Sequence, residues 1–148
     1  MSIGNPRPIE VLLVEDNPGD VELIREGFKS GKITNSLHVV TDGVEALTFL
    51  KKEGDYQDAP TPDLVLLDIN LPKKNGHEVL KEIRADADLT LLPVVILTTS
   101  DREKDIFLSY KERVNAYVTK PVNAAEFIEA VQTIEDFWVT LVRLPAKS

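Results

Sequence analysis

Asp68 stands at the end of an unbroken apolar run, Leu64-Val65-Leu66-Leu67. The acidic pair Glu15-Asp16 closes an earlier run of the same kind, Val11-Leu12-Leu13-Val14. Two later runs end in a hydroxyl and a cation: Val94-Val95-Ile96-Leu97 before Thr98, and Tyr117-Val118-Thr119 before Lys120-Pro121. This set suits one chemistry, a divalent cation held by carboxylates beside an aspartate that carries a phosphoryl group. Magnesium prefers oxygen ligands, keeps several waters and is usually held by one or two carboxylates. Asp16 and Asp68 are the candidate direct ligands, with Glu15 helping directly or through water. Three crowded carboxylates repel one another and imply a cation between them. Asp68 is the candidate nucleophile, because a carboxylate can accept a phosphoryl group as an acyl phosphate. Lys120 offers a flexible point charge for the phosphoryl oxygens, and Thr98 offers a hydroxyl donor.

Each residue alone has an ordinary explanation. Asp16 reads as a surface acid near a helix start, and Thr98 as a β-branched strand residue. Lys120 reads as an exposed lysine before a proline, Tyr117 as half-buried packing and Asn70 as a turn former with Pro72. Their weight comes from position, since each falls at the right strand end, in one order.

Five short apolar runs alternate with five segments of helical character. The runs are Ile9–Val14, Leu37–Val40, Leu64–Leu67, Val94–Leu97 and Ala116–Val118. Unbroken rather than alternating runs suit strands covered on both faces, as in parallel sheets. The second run is the weakest, with His38 inside it. Asn17-Pro18 reads as a cap and first helical residue, and Asp42 and Asn123 read as caps of later helices. Gly76 precedes a third helix, and Ser100 or Asp101 is the expected cap of a fourth. The helical stripes are Val21, Ile24 and Phe28; Val44, Leu47 and Leu50; Val79, Leu80 and Ile83; Ile106, Phe107 and Tyr110; and Phe127, Ile128, Val131 and Ile134. Alternating β and α segments imply right-handed crossovers and a doubly wound sheet. In such a sheet the carboxyl ends of the strands share one edge, where ligands bind.

The 148 residues fit one domain, with a core over about residues 9–136 and an apolar extension over 137–148. The formal charge is -8, from 25 acids against 17 Lys and Arg, which disfavours nucleic acid and anionic lipid as partners. There is no cysteine, which excludes disulfides, thiolate metal sites and thiol nucleophiles. No run has the length of a signal-peptide core or a membrane span, so the expectation is a soluble cytoplasmic protein.

These motifs together resemble the receiver domain of two-component response regulators, from about Ile9 to Ile134. The matching residues are Glu15-Asp16, then Asp68-Ile69-Asn70-Leu71-Pro72 with Asn75-Gly76, then Thr98-Thr99, then Tyr117-Val118-Thr119-Lys120-Pro121. Asp68 and Thr98 are 30 residues apart and Thr98 and Lys120 are 22 apart, both usual for receivers; the 52 between Asp16 and Asp68 is longer, with the excess in the loop Gly54–Pro62. The usual small Gly-Ala pair before strand five is replaced by Val114-Asn115-Ala116. The resemblance implies a flavodoxin-like (βα)5 fold with strand order 2-1-3-4-5. It implies that Asp68 takes a phosphoryl group from a histidine kinase, with Mg²⁺ held by Glu15, Asp16, Asp68 and the Asn70 backbone carbonyl. It also implies a cis Lys120-Pro121 bond and a switch in which Thr98 moves inward and Tyr117 follows, remodelling the face of helix four, strand five and helix five. Such a chain is a phosphoacceptor rather than an enzyme, beyond its self-catalysed phosphotransfer and autodephosphorylation.

Ser100-Asp101-Arg102-Glu103-Lys104-Asp105-Ile106, the long loop before strand three and Asn17-Pro18-Gly19-Asp20 look like those of stand-alone regulators paired with phytochrome kinases, especially cyanobacterial ones. Output is then a protein contact or a phosphate relay. Apolar positions continue past helix five through Phe137, Trp138, Leu141, Val142 and Leu144. They suit either a symmetric homodimer or a tail folded onto its own domain. Three other readings compete. A haloacid-dehalogenase-type phosphohydrolase needs a second acid two residues after its nucleophile, where Asn70 stands here. A flavin module needs a Ser/Thr/Gly-rich phosphate loop after strand one, where the acidic Asn17-Pro18-Gly19-Asp20 stands. A phosphorylation-independent pseudo-receiver would have no use for the full set of acids, hydroxyl and lysine.

Overall fold

A computed structural model describes residues 8–30 and 34–137. The strands are β1 (Ile9–Val14), β2 (Asn35–Val40), β3 (Leu64–Leu67), β4 (Val94–Thr98) and β5 (Ala116–Thr119). All pair in parallel in the order β2-β1-β3-β4-β5, the flavodoxin-like arrangement. The helices are α1 (Pro18–Lys29), α2 (Gly43–Leu50), α3 (Gly76–Ala85), α4 (Glu103–Lys111) and α5 (Ala124–Glu135). One turn of 3-10 helix, Gly54–Tyr56, folds the long loop before β3.

Successive strand residues point to opposite faces, so each apolar run feeds two cores. Leu12, Val14, Val65, Leu67, Val94 and Ile96 pack with Leu47, Leu50, Val79, Leu80 and Ile83 of α2 and α3. Val11, Leu13, Leu64, Leu66, Val95 and Leu97 pack with Val21, Ile24, Phe28, Phe127 and Val131 of α1 and α5. The three central strands are therefore buried throughout β3 and β4 and over most of β1. At the edge, β2 is mostly half-buried, which accommodates His38; its Nε2 lies 2.8 Å from Glu10 Oε1 on β1.

Helix starts follow the capping rule in four cases of five. The Asn17, Asp42 and Asn123 side chains accept from the amides of Asp20, Glu45 and Glu126. In α3 the cap is Asn75, paired in a capping box with Glu78, and Gly76 is the first helical residue. In α4 neither Ser100 nor Asp101 caps: the N-cap is Arg102, with no side-chain cap bond. The Ser100 hydroxyl instead donates to Asp105 Oδ2 at 2.5 Å. No peptide bond among the described residues is cis, Lys120-Pro121 included, against the expectation. The trans form is the preferred one for X–Pro by about 0.5–1 kcal/mol, and in it Lys120 already reaches three carboxylates. Phe137, the last described residue, is exposed, and Trp138 and Leu141 lie outside the described residues.

Candidate functional site at the carboxyl edge of the sheet

The ladder delivers its functional residues by simple continuation. The Glu15 amide bonds Val40 O, the Asp68 amide bonds Val14 O and the Lys120 amide bonds Thr98 O at 2.7 Å. Glu15, Asp68, Thr98 and Lys120 thus leave four adjacent strands at one edge, and all four are buried. Asp16 leaves the same edge but is exposed to solvent.

Asp68 is held at both oxygens. Its Oδ1 accepts from Thr98 Oγ1 at 2.7 Å and from the Asn70 amide at 3.2 Å. Its Oδ2 accepts from Lys120 Nζ at 2.9 Å. The same ammonium donates to Glu15 Oε1 at 2.5 Å and Asp20 Oδ2 at 2.8 Å. Burial alone would lower the Lys120 pKa, but the hydrogen bonds it donates to its three carboxylate partners outweigh that and the net shift is upward. Burial pushes the Glu15 carboxyl up to about 7; Asp68 adds to the rise and Lys120 opposes it.

Gly76 closes the β3–α3 loop onto this site. A Cβ there would collide with the Asp68 carbonyl oxygen and come within 2.7 Å of Ile69 Cα, so only glycine allows the close approach.

A second layer of contacts leads away from Asp68. The Ser100 amide donates weakly to Thr98 Oγ1 at 3.4 Å, and the Tyr117 hydroxyl donates to Ser100 O at 2.8 Å. Asp105, buried on α4, gathers the Ser100 hydroxyl, Arg102 Nε at 3.0 Å and His77 Nε2 at 2.8 Å. Burial raises the Tyr117 pKa, with the bond to Ser100 opposing. Thr98 and Tyr117 therefore share one intermediary, Ser100.

Glu15, Asp16 and Asp68 were expected to converge on a cation. Among the described residues no three His, Cys, Asp or Glu side chains form a ligating group. The Lys120 ammonium draws Glu15 and Asp68 to itself, leaving Asp16 on the solvent side. Even so, Glu15, Asp16, Asp20 and Asp68 outnumber the lysine four to one in formal charge. The hard oxygen donors of Asp16 and Asp68, with the exposed Asn70 beside them, suit a magnesium-like ion that keeps several waters.

Sequence reasoning missed two parts of this site. Asp20, Ser100 and Asp105 enter the sequence reading only inside segments that look like those of phytochrome-paired regulators, with Ser100 also an expected cap; neither the Lys120–Asp20 pair nor the Ser100–Asp105 pair is expected from it. The signal for Asp20 was present: an Asn17-Pro18 start puts it on the first turn of α1, at the sheet edge where Lys120 arrives.

A parallel five-stranded sheet with an acid, a buried aspartate, a threonine and a lysine at successive strand ends defines a receiver domain, and the chain belongs to that family. The family model for the response regulator receiver domain matches residues 11–132. The chain is 47% identical over 142 residues to the response regulator Rcp1 of Synechocystis sp., covering 96% of each. It superimposes on the phosphorylated cyanobacterial phytochrome response regulator RcpA with a TM-score of 0.92 at 45% identity, covering 95% of this chain and all of that one. The Mn(2+)-bound form of Rcp1 gives a TM-score of 0.90 at 47% identity, covering 94% of this chain and all of that one. No helix among the described residues is long and apolar enough to cross a membrane.

Proposed function

We propose that this chain is a stand-alone response regulator whose Asp68 takes a phosphoryl group from a partner histidine kinase, with a phytochrome as the kinase. The observation that carries this reading is the two-sided grip on Asp68, by Thr98 at Oδ1 and Lys120 at Oδ2. One Asp68 oxygen forms a new P–O bond as the P–N bond to the donor imidazole breaks, its electron pair returning to the ring. The Lys120 ammonium and the Thr98 hydroxyl then meet the charge on the phosphoryl oxygens. Asp16, Asp68 and the Asn70 carbonyl would hold a divalent ion, Mg²⁺ in the cell, with Glu15 reaching it through water; the ion supplies charge neutralisation at the phosphoryl oxygens. A Mn(2+)-bound relative and a phosphorylated relative support both parts of the reading. The likeness to Rcp1 covers 96% of each chain, which supports a regulator that signals through protein contacts or a phosphate relay.

The test is incubation with acetyl phosphate and Mg²⁺. Wild type is expected to gain one phosphate by intact mass, and Asp68→Asn none. Equal labelling of the variant would remove Asp68 from the role.

A further inference from the structure

A lysine ammonium has three N–H donors. In this chain each has its own carboxylate: Glu15, Asp20 and Asp68 lie 2.5, 2.8 and 2.9 Å from Lys120 Nζ. The ammonium has no donor left for a new partner. Phosphorylation on the proposed reading makes the attacked Asp68 oxygen a bridging one, a poor acceptor. The phosphoryl oxygens that replace it lie a bond length further out. Lys120 must move to follow them, and its other two carboxylates resist.

Those two differ in how readily they let go. The Glu15 side chain is 2% exposed, and its second oxygen is fixed by the Asn17 amide at 3.1 Å. Water cannot replace a bond lost there, so release is costly. The Asp20 side chain is 22% exposed on the first turn of α1, where water can take over. Asp20 is also well placed to hold: its amide donates to the Asn17 side chain at 3.0 Å, and Pro18 fixes the start of its helix.

We infer that Asp20 is a tether, a positioning residue that keeps Lys120 in its unphosphorylated place and is the partner surrendered when the phosphoryl group arrives. Asp20 slows charging of Asp68 and biases the chain toward the uncharged state. The inference rests on Asp68 being the acceptor. A merely structural Asp20 would do the opposite: its loss would loosen α1 and slow labelling or leave it unchanged.

The experiment uses the full chain with acetyl phosphate at saturating Mg²⁺, following intact mass over time. An Asp68 oxygen attacks phosphorus, and the P–O bond to acetate breaks with its electron pair leaving on acetate. Asp20→Ala is expected to label about fivefold faster than wild type, the weight of one charge-assisted hydrogen bond at a partly exposed position. Asp20→Asn, which keeps an acceptor but loses the charge, is expected to fall between the two. Glu22→Ala removes an equal charge from a solvated position on the same helix and is expected to match wild type. If wild type is folded but unlabelled, the acceptor reading fails and the tether with it. If wild type labels and Asp20→Ala labels no faster, or Glu22→Ala speeds labelling equally, the tether alone is overturned.

Discussion

The Thr98 hydroxyl donates to Asp68 Oδ1 at 2.7 Å while its own oxygen lies 3.4 Å from the Ser100 amide. One buried atom therefore joins Asp68 to the segment that holds Tyr117 and Asp105. Thr98→Ala is expected still to gain a phosphate on Asp68 from acetyl phosphate, more slowly than wild type, and to lose the phosphorylation-dependent shift of the Ser100 and Tyr117 signals in NMR spectra. A normal shift in the variant would break the proposed coupling.

Lys120 neutralises carboxylates that are themselves out of water. Lys120→Ala leaves Glu15 and Asp68 buried without their cation, and stability is expected to fall by about 3 kcal/mol in urea unfolding at neutral pH. Added Mg²⁺ is expected to recover more of that loss in the variant than it adds to wild type, because a divalent ion then becomes the main counter-charge. Equal Mg²⁺ stabilisation of both proteins would contradict this account.

Gly76 is pressed against backbone atoms of Asp68 and Ile69, which cannot turn aside as a side chain could. Gly76→Ala is expected to cost about 2 kcal/mol through overpacking and to slow Asp68 labelling by displacing the loop. A variant as stable as wild type, labelled at the same rate, would show that the loop shifts freely.

Asp105 supplies a pH dependence. Burial favours its neutral form, but hydrogen bonds from Ser100, His77 and Arg102 prevail and hold the carboxyl at about 2, below the ordinary 3.8. The unfolded chain therefore takes up this proton first as pH falls. The stabilisation, worth about 2 kcal/mol, is complete above about pH 5 and drains away as pH falls through 3.8 and on through about 2. Asp105→Asn is expected to be less stable than wild type by about that amount at pH 7, with the gap closing in acid. A gap that is constant from pH 7 to pH 3 would assign the loss to packing instead.

The strands were readable because burial on both faces writes an unbroken apolar run, as in Leu64–Leu67. Three caps were readable because Asn17, Asp42 and Asn123 act on amides three residues away, a purely local bond. The site was readable as far as strand ends alone define it. The Lys120–Asp20 bond joins residues 100 apart and depends on how α1, packed against α5, brings its first turn to the end of β5, which no local pattern carries. The α4 start failed for a related reason: Ser100 had a better partner in the Asp105 side chain than in a helix amide.

The apolar sheet has a practical consequence. Its central strands are packed in aliphatic side chains, and buried polar groups sit at the two ends: Glu15, Asp68, Thr98 and Lys120 at one, Asp63 at the other, where Asp63 Oδ2 accepts from the Glu10 amide at 2.8 Å. Aliphatic contacts have no directional bonds to exchange, so the hydrogen bonds that a rearrangement of Asp68 re-forms lie at its own end of the sheet. A fluorescent label attached beside Asp63 would report how much protein is present, whereas the same label beside Ser100 would report its state.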